Sequence, residues 1–259
     1  MSAFVAFDHV SLAYDDSGNA IEDIDLDIHE GEFVAFVGPS GCGKSTFMKL
    51  CTGLHAPTAG SIQVDGVAVT EPLKISGMAF QNANLLPWRT TLDNVLLPLE
   101  IVKPYRHQFR KRRKEFEGWA RDLLNTVGLA DYEDQYPWQL SGGMQQRASI
   151  CRALIHQPRL LMLDEPFGAL DAFTREELWC VLRDLWEAQR FTVVLVTHDL
   201  REAAFLADTV YVMSSRPGRV VERREIDLPR PRSLDITYDK PFIDLVHELR
   251  AQIGEIRST

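Results

Sequence analysis

The sequence predicts an α/β fold in which a parallel sheet is covered by helices, and three observations support this. Short apolar segments at Phe33–Val37, Leu160–Leu163 and Phe191–Val196, the last interrupted only by Thr192, are typical of strands buried on both faces. Helical stretches follow these segments, and strands that alternate with helices form parallel sheets. The residues between the first two segments include a long helical stretch. We therefore expect a discontinuous α/β core with an inserted helical part.

The first third of the chain is rich in strand patterns, and its Gly- and Pro-containing turns separate them. Its predicted elements are a half-buried strand in which apolar residues alternate with acidic ones (Ile24, Leu26, Ile28), a buried strand (Phe33–Val37), a helix (Lys44–Leu54) and a short strand between turns (Ser61–Val64).

The middle of the chain is helical, and the last third returns to strands that alternate with helices. The helical pattern runs from about Thr91 to Ile155, with breaks at Pro104, Gly128 and Pro137. After it come a buried strand (Leu160–Leu163), a long helix (Phe173–Arg190) and another buried strand (Phe191–Val196). In a short tail from residue 216, the spacing of Phe242, Leu245, Leu249 and Ile253 predicts one amphipathic helix.

These patterns predict one domain with internal divisions. Residues 1–88 and 158–215 form the α/β core with a β-rich part, residues 89–157 form the helical part, and residues 216–259 form the tail.

The composition of the chain excludes several classes of protein. Of its 259 residues, 45% are hydrophobic and 25% are charged, which is the balance of a globular protein and excludes disorder as the main state. The longest apolar runs fall far short of the roughly 20 residues of a membrane span. No charged stretch followed by an apolar block begins the sequence, so we expect no signal peptide.

Charge and cysteine usage narrow the function classes further. The net charge of −9 opposes general nucleic-acid binding, because that binding depends on neutralising phosphates. The cysteines, Cys42, Cys51, Cys151 and Cys180, form no Cys-x-x-Cys pair. Zinc binding and thioredoxin-type chemistry are therefore disfavoured, and a reducing, cytosolic setting is indicated.

A glycine-rich loop follows the buried strand at residues 33–37 and precedes a helix. Its sequence fits G-x-x-x-x-G-K-[ST], a pattern whose backbone N–H groups surround phosphate oxygens. We expect Lys44 to offset charge on the β- and γ-phosphates and the Ser45 hydroxyl to bind Mg²⁺. The alternative is a chance glycine-rich turn, which the strand–loop–helix context argues against. The predicted phosphate-binding residues are Gly38, Pro39, Ser40, Gly41, Cys42, Gly43, Lys44, Ser45 and Thr46.

Two carboxylates come directly after the buried strand at residues 160–163. Asp164 stands where a partner of the phosphate loop is expected to hold Mg²⁺, directly or through water. Glu165 follows it and is a candidate general base for an attacking water. The alternative is that these acids belong to a turn that starts a helix, where acidic residues are favoured.

Several further motifs resemble those of the ABC-type ATPases, in the order of that family. Residues 140–147, LSGGMQQR, resemble its signature motif, which precedes a predicted helix in this chain. The other matches are Tyr14 (adenine-stacking aromatic), Gln81 (Q-loop), Gly168–Asp171 (D-loop) and His198 (switch histidine). They lie between about residues 3 and 215. The segments 85–89 (LLPWR), 165–171 (EPFGALD) and 216–219 (RPGR) are most similar to the nitrate/sulfonate/taurine group of importer ATPases.

The resemblance implies a P-loop (RecA-like) core with a β-rich N-terminal subdomain and an inserted α-helical subdomain. It implies ATP and Mg²⁺ as ligands, with Gln81 near the metal and His198 near the γ-phosphate or the water. Ser141, Gly142 and Gly143 form a second phosphate-binding helix start, which in the family faces the phosphate loop of another subunit. The resemblance also implies that Asp171 of the D-loop is a nucleotide-binding residue. The chain departs from many members at Met144 and Gly168, which puts individual interface contacts in doubt.

The resemblance also implies partners. We expect a homodimer bound peripherally at the cytoplasmic face of the inner (plasma) membrane, with two permease subunits and, indirectly, an extracytoplasmic solute-binding protein. No nucleic-acid partner is expected. The apolar stretch from Gln81 to about Pro104 is either core or in part the permease-binding groove. The basic block Arg110–Lys114 is read as a solvated helix face, with attraction to anionic lipid as the alternative.

Two other functions remain open on the sequence. A soluble ABC-type ATPase acting on nucleic acid or ribosomes usually carries a long coiled-coil insertion or two ATPase halves, whereas this chain has one phosphate loop and a compact insertion. An exporter or lipid-transport ATPase would share the same motor, and only the importer-like segments argue against it. A GTPase is disfavoured, since the Asn-Lys-x-Asp motif is absent from the sequence.

Overall fold

The computed structural model describes residues 3–14 and 18–258. The strands are β1 (Val5–Ala13), β2 (Asn19–Ile28), β3 (Phe33–Val37), β4 (Ala59–Val64), β5 (Val67–Ala68), β6 (Ser76–Phe80), β7 (Leu160–Asp164), β8 (Thr192–Val196), β9 (Thr209–Met213) and β10 (Val220–Glu225). The helices are α1 (Lys44–Cys51), α2 (Thr91–Ile101), α3 (Tyr105–Thr126), α4 (Gly142–Leu154), α5 (Ala172–Gln189), α6 (Leu200–Leu206) and α7 (Lys240–Ser258).

The chain folds into two compact units. The first unit comprises Met1–Leu73 and Arg190–Thr259, and the second unit, Lys74–Gln189, is inserted between them in the sequence. The finer division at residues 88, 158 and 216 stays a prediction. Within the described parts of the chain, no helix combines the length and the apolar composition that crossing a membrane requires.

An antiparallel sheet in the order β2-β1-β4-β5 forms one layer of the first unit. Its register places Val5 opposite Ile28 on one side and opposite Val64 on the other. Ile24, Leu26 and Ile28 are buried while the acidic residues between them face solvent, as their alternation predicts.

Parallel strands form the buried layer of the first unit. β3 lies between β8 and β9, parallel to both, and β10 is antiparallel to β9. Every residue of β3, β8 and β9 is buried, which explains why these strands read as unbroken apolar runs rather than alternating ones.

A column of aromatic rings joins these layers. The ring of Phe47 on α1 lies 4.7 Å from that of Phe7 on β1 and 4.1 Å from that of Phe36 on β3. The ring of Phe36 in turn stacks on Tyr211 of β9 at 4.9 Å. Because Phe47 contacts both layers, this side chain sets how α1 sits on the strand that precedes it.

The predicted tail packs into the first unit. It contains β10, which the sequence did not predict, and the amphipathic helix α7, in which Phe242 and Leu249 are buried. Between them Arg232, 1% exposed, donates to the carbonyl oxygens of Ala204 (3.1 Å) and Ala207 (2.7 Å). The guanidinium thereby fills acceptors that the end of α6 leaves unused.

The second unit places helices against a two-stranded parallel pair. β6 pairs with β7, and α4 packs on β6 so closely that a Cβ added at Gly77 would lie 2.1 Å from the carbonyl oxygen of Ala153. The predicted helix breaks are confirmed: α2 ends before Pro104, α3 ends before Gly128, and Pro137 begins a short 3₁₀ turn.

Two predicted helices differ from the structure at their ends. The helix predicted at Lys44–Leu54 ends at Cys51, because Gly53 adopts a left-handed conformation (φ +74°) that stops it. The helix predicted at Phe173–Arg190 occupies Ala172–Gln189.

The basic block Arg110–Lys114 lies on α3 and is largely exposed. Arg112 pairs with Glu115, and its guanidinium stacks over the ring of Phe116 at 5.1 Å. Arg113 pairs with Glu117 at 2.9 Å. These contacts agree with a solvated helix face.

The aromatic column predicts a stability effect. Phe47→Ala should lower the free energy of unfolding by about 3–5 kcal/mol, because it removes a buried ring from both layers. In a chain of this size, that corresponds to a fall of at least about 6 °C in the thermal midpoint. Phe173→Ala is the control, since that ring is 82% exposed. Equal midpoints for the two variants in a circular-dichroism melt would contradict the role of the column.

Candidate functional site

The loop between β3 and α1 is shaped as the phosphate motif predicts. Gly43 caps the start of α1 in a left-handed conformation (φ +95°), and this cap makes no side-chain hydrogen bond. That turn also lacks acidic residues. The N–H groups at the start of α1 and the positive end of its dipole therefore face no competing side-chain cap.

Two glycines of this loop have no space for a side chain. A Cβ at Gly38 would lie 2.9 Å from the carbonyl oxygen of Met213, and one at Gly43 would lie 2.9 Å from that of Ala20. The backbone of the loop is thus held directly against the neighbouring strands, and only glycine allows that approach.

The Lys44 side chain turns back into the loop. It is 7% exposed, and its Nζ donates to the carbonyl oxygens of Gly38 and Pro39, each at 3.0 Å. The ammonium group is therefore fixed among the loop's own backbone atoms. The next residue, Ser45, is exposed at the first turn of α1.

Tyr14 lies beside the same helix. Its hydroxyl is 3.1 Å from Oγ1 of Thr46 on α1, and its ring meets His55 edge-on at 5.5 Å. The ring is 50% exposed, so one part of an aromatic surface stays open next to the phosphate loop. This is the arrangement that a base-stacking residue requires.

His198 lies at the same sheet edge as the phosphate loop. β3 and β8 are parallel neighbours with Phe36 beside Val196, and the loop begins two residues after Phe36, at Gly38. His198 likewise follows Val196 by two residues and is exposed. Carboxyl ends of adjacent parallel strands meet at one edge, which is where α/β proteins place ligands.

A short hydrogen-bond chain holds the backbone around His198. The Thr197 hydroxyl donates to the buried carboxylate of Glu202 and accepts from the amide of Asp199 at 3.0 Å. Asp199 caps α6 by accepting from the amide of Arg201 at 2.9 Å. Glu202 was not among the predicted site residues; the sequence feature that marks it is a carboxylate four residues after the histidine that follows β8.

The carboxylates and Gln81 meet in the second unit. β6 and β7 pair with Phe80 beside Asp164, so Gln81 and Glu165 are the next residues on adjacent parallel strands. Glu165 has a left-handed backbone (φ +47°), which costs a non-glycine residue roughly 1–2 kcal/mol. Such strain at the end of a buried strand is typical of a functional position.

Gly168 leaves room for the Gln81 side chain. A Cβ at Gly168 would lie 3.3 Å from Nε2 of Gln81. The Gly168 amide also donates to the carbonyl oxygen of Glu165 at 3.1 Å, which closes the turn after β7. Glycine at this position therefore lets the Gln81 side chain lie close to the turn that carries Glu165.

The signature motif starts α4 as predicted. Ser141 is the N-cap, and its hydroxyl accepts from the amide of Met144 at 3.3 Å. The preceding turn is held by Gln145, whose Nε2 donates to the carbonyl oxygens of Pro137 (3.0 Å) and Leu140 (3.2 Å). Met144 thus contributes its backbone N–H to the cap, whatever its side chain is.

A hydrogen bond that the sequence did not predict joins the signature helix to the strand that precedes the Q-loop. Nε2 of Gln146, which is buried on α4, donates to the carbonyl oxygen of Phe80 at 2.9 Å. Phe80 is the last residue of β6, directly before Gln81. This bond joins residues 66 positions apart, a separation that no local pattern reports.

Asp171 lies immediately before α5 and is exposed. It accepts from the Thr174 hydroxyl at 2.7 Å and from the Thr174 amide at 3.1 Å. These hydrogen bonds stabilise the charged form and lower the pKa of the Asp171 carboxyl below its ordinary value.

The cysteines differ in environment. Cys51 and Cys151 are fully buried, and the loss of hydration raises the pKa of each thiol to about 12. Both therefore remain protonated at neutral pH. Cys42 is buried within the phosphate loop, with its sulfur 3.6 Å from Nζ of Lys44.

The predicted site residues thus form one group in each unit. The first unit brings together the loop and the residues around it: Tyr14, Gly38, Pro39, Ser40, Gly41, Cys42, Gly43, Lys44, Ser45, Thr46 and His198. The second unit contains Gln81, Ser141, Gly142, Gly143, Asp164, Glu165 and Asp171. The roles assigned to these residues stay predictions.

Comparisons with known proteins all find ATP-binding proteins of ABC transporters. The family model described as "ABC transporter" matches residues 21–168. The chain is 43% identical to a bicarbonate transport ATP-binding protein of Synechocystis sp., over 93% of this chain and 85% of that protein. It is 45% identical to a taurine import ATP-binding protein of Yersinia pestis, over 80% of this chain and 79% of that protein.

A further relative and a solved structure agree with these. A nitrate import ATP-binding protein of Synechococcus elongatus is 43% identical over 86% of this chain and 80% of its own length. A dimeric ATP-binding cassette solved with ADP and Pi has a TM-score of 0.73 and 32% identity, covering 87% of this chain and all of that one. The predicted fold class is confirmed by this likeness.

The position of Tyr14 predicts a graded effect on nucleotide affinity. Tyr14→Ala should weaken ATP binding by roughly tenfold, because stacking on an aromatic ring contributes about 1–3 kcal/mol per base. Tyr14→Phe keeps the ring and loses only the contact with Thr46, so its affinity should stay within about twofold of the parent. Fluorescence titration with a labelled ATP analogue distinguishes them, and equal affinity for all three proteins would remove Tyr14 from the site.

Proposed function

Because the chain belongs to the ABC transporter family, we propose that it is the ATP-binding and ATP-hydrolysing subunit of an ABC importer. The observation that carries this is the start of α1, where a helix begins without a side-chain cap beside the buried Lys44 ammonium. Such a helix start binds phosphate. The relatives named above are import or transport ATP-binding proteins, which supports import over the alternatives of export or action on nucleic acid.

ATP fits the first unit. The phosphates would lie on the backbone N–H groups of the loop and of the first turn of α1, with Lys44 offsetting the charge of the β- and γ-phosphates. The adenine would stack on the open part of the Tyr14 ring, which is anchored to the same helix through Thr46.

The oxygen donors present suit a magnesium ion bound with ATP. Ser45 is an exposed residue at the first turn of α1 and carries a hydroxyl oxygen. In the second unit, Asp164 is the last residue of β7, and Gln81 follows the paired strand β6. They offer a carboxylate and an amide oxygen, the hard ligands that Mg²⁺ prefers. A Mg²⁺ ion bound with ATP would neutralise developing charge on the phosphates.

Hydrolysis needs a group that takes a proton from water. We assign this role to Glu165, whose strained backbone fixes its position after β7. His198 would contact the γ-phosphate from the edge of the sheet that also carries the phosphate loop. The hydrogen-bond chain through Thr197 and Glu202 would keep the histidine in place.

A homodimer would complete the site. The start of α4 is a second phosphate-binding helix start, capped by Ser141. We propose that it faces the γ-phosphate on the partner subunit, as in the family, and the similar cassette with ADP and Pi is dimeric. ATP would then stabilise the closed dimer, and loss of the γ-phosphate contacts would let it open.

A rigid loop with one exposed tryptophan is the proposed permease contact. Trp88 is 71% exposed. The buried Asn94 fixes the backbone on both sides of it, accepting from the amide of Leu86 at 2.7 Å and donating to the carbonyl oxygens of Arg89 (3.1 Å) and Thr90 (3.0 Å). An aromatic anchor on a preorganised loop is typical of an interface.

The rest of the apolar stretch from Gln81 to about Pro104 is divided between core and surface. Leu96 and Leu99 are buried within the second unit, so they belong to the core. We propose that the subunit binds peripherally at the cytoplasmic face of the membrane through the Trp88 loop. A separate binding protein would deliver a small solute of the nitrate, sulfonate or taurine class.

Removing the proposed general base, Glu165, should trap the ATP-bound homodimer. Glu165→Gln should keep ATP binding and reduce turnover at least about 100-fold, because proton transfer contributes about 10²–10⁴ to such rates. With Mg-ATP it should elute as a dimer in size-exclusion chromatography with light scattering. Adding Lys44→Ala to this variant should prevent dimerisation, which is the control. A monomeric Glu165→Gln chain under saturating Mg-ATP would count against the proposal.

The permease contact can be tested separately from the chemistry. Trp88→Ala should weaken binding to the permease at least about 30-fold, the loss of about 2 kcal/mol or more typical of a buried tryptophan anchor. ATP binding by the isolated chain should be unchanged. Val67→Ala is the matched control, since Val67 is also an exposed apolar residue. Co-purification of a multi-span permease from native membranes measures the difference, and equal recovery with both variants would exclude Trp88.

A further inference from the structure

We propose that Thr174 is a positioning residue that joins the signature turn, residues 141–143, to Asp171, so that both act as one element. The proposal rests on the function proposed above. Thr174 lies on the first turn of α5, half-buried, and no family motif quoted above includes it. Its two side-chain groups contact two different motifs.

The hydroxyl side of Thr174 holds Asp171. Oγ1 of Thr174 donates to Oδ2 of Asp171 at 2.7 Å, and the Thr174 amide donates to Oδ1 at 3.1 Å. Both carboxylate oxygens are therefore engaged by one residue, in the arrangement of a helix cap. The Asp171 side chain is fixed relative to the first turn of α5.

The methyl side of Thr174 lies against the signature turn. A Cβ added at Gly143 would come within 2.4 Å of Cγ2 of Thr174, closer than any real contact allows. The methyl group thus occupies the space in which any other residue at position 143 would have its side chain. The backbone of Gly143, the second residue of α4, therefore lies against the methyl group of Thr174, the third residue of α5.

A second contact keeps the two helices in register one turn further on. Nη2 of Arg147 lies 2.6 Å from Oε2 of Glu177, and Nη1 of Arg147 donates to the carbonyl oxygen of Val127 at 3.0 Å. Arg147 follows Gly143 by four residues, and Glu177 follows Thr174 by three. The starts of α4 and α5 are therefore tied at two successive turns.

This junction is not ordinary core packing. It borders an open cavity of about 270 Å³ that is lined by Ser141, Gly143, Met144, Thr174 and Glu177, among others. Side chains beside such a cavity contribute little to the core, so small changes at Thr174 should leave the fold intact. Changes at Thr174 should instead alter how a displacement of Asp171 is transmitted to Gly143, because the Thr174 side chain contacts both residues.

Two variants separate the contacts of Thr174. Thr174→Val keeps the shape but removes the hydroxyl that holds Asp171, whereas Thr174→Ser keeps the hydroxyl but removes the methyl on Gly143. Thr174→Val should lower kcat for ATP hydrolysis at least about tenfold, as expected for loss of a hydrogen bond to a charged group, and Thr174→Ser about fourfold, as expected for loss of one buried methyl group. Both should weaken Mg-ATP-driven dimerisation in the Glu165→Gln background. Their KM, their affinity for a fluorescent ATP analogue and their melting temperature should stay at the wild-type values.

Thr126→Val is the matched control, because the Thr126 hydroxyl bonds to a backbone carbonyl, that of Asp122, on the exposed face of α3. It should behave as wild type. In the double variant with Asp171→Asn, Thr174→Val should have little further effect on kcat, since both changes break the same hydrogen bonds.

The outcomes are distinct. Wild-type kcat and dimerisation in both Thr174 variants would overturn the proposal. A loss of melting temperature and nucleotide affinity in parallel with kcat would also overturn it, since that is the signature of a purely structural residue. If the wild-type chain itself hydrolysed no ATP, the proposed function would fail, and this inference with it.

Discussion

A phosphate group can be held by the start of a helix only if the N–H groups there are left open, and this constraint organises the molecule. At α1 it is met by Gly43, which caps the helix without a side chain, and by the buried Lys44. At α4 the constraint is met by Ser141, whose hydroxyl accepts a hydrogen bond from one backbone amide, that of Met144. The strand β3, the aromatic column and the contacts around Thr174 serve to fix these two helix starts.

The second unit links its motifs through side chains that bond to backbone. Gln146 ties the signature helix to the carbonyl of Phe80, directly before Gln81. Asn94 fixes the backbone around Trp88, the proposed permease contact. The proposed permease contact, the Q-loop and the signature motif therefore all lie in the second unit.

The sequence predicted the fold class and the position of each motif, because these depend on local patterns. An apolar run followed by glycines and a lysine specifies a strand, a turn and a helix start within a few residues. The sequence did not predict β10, the burial of Arg232 or the contact of Thr174 with Gly143. Each of these joins segments distant in the chain, and a single hydrogen bond or methyl contact leaves no periodicity. The boundary at Gly53 was missed because one left-handed residue outweighs helix propensity.

The central claim is that the phosphate loop of one subunit and the signature of another form one ATP site. Disulfide formation between Ser40→Cys on one copy and Ser141→Cys on another tests it most directly, in the Glu165→Gln background with Cys42 and Cys180 replaced by alanine. The remaining cysteines, Cys51 and Cys151, are buried thiols that should not react. The account predicts a covalent dimer that forms with Mg-ATP and not without nucleotide. A disulfide within one chain, or a non-covalent dimer that never cross-links at this pair, would contradict it.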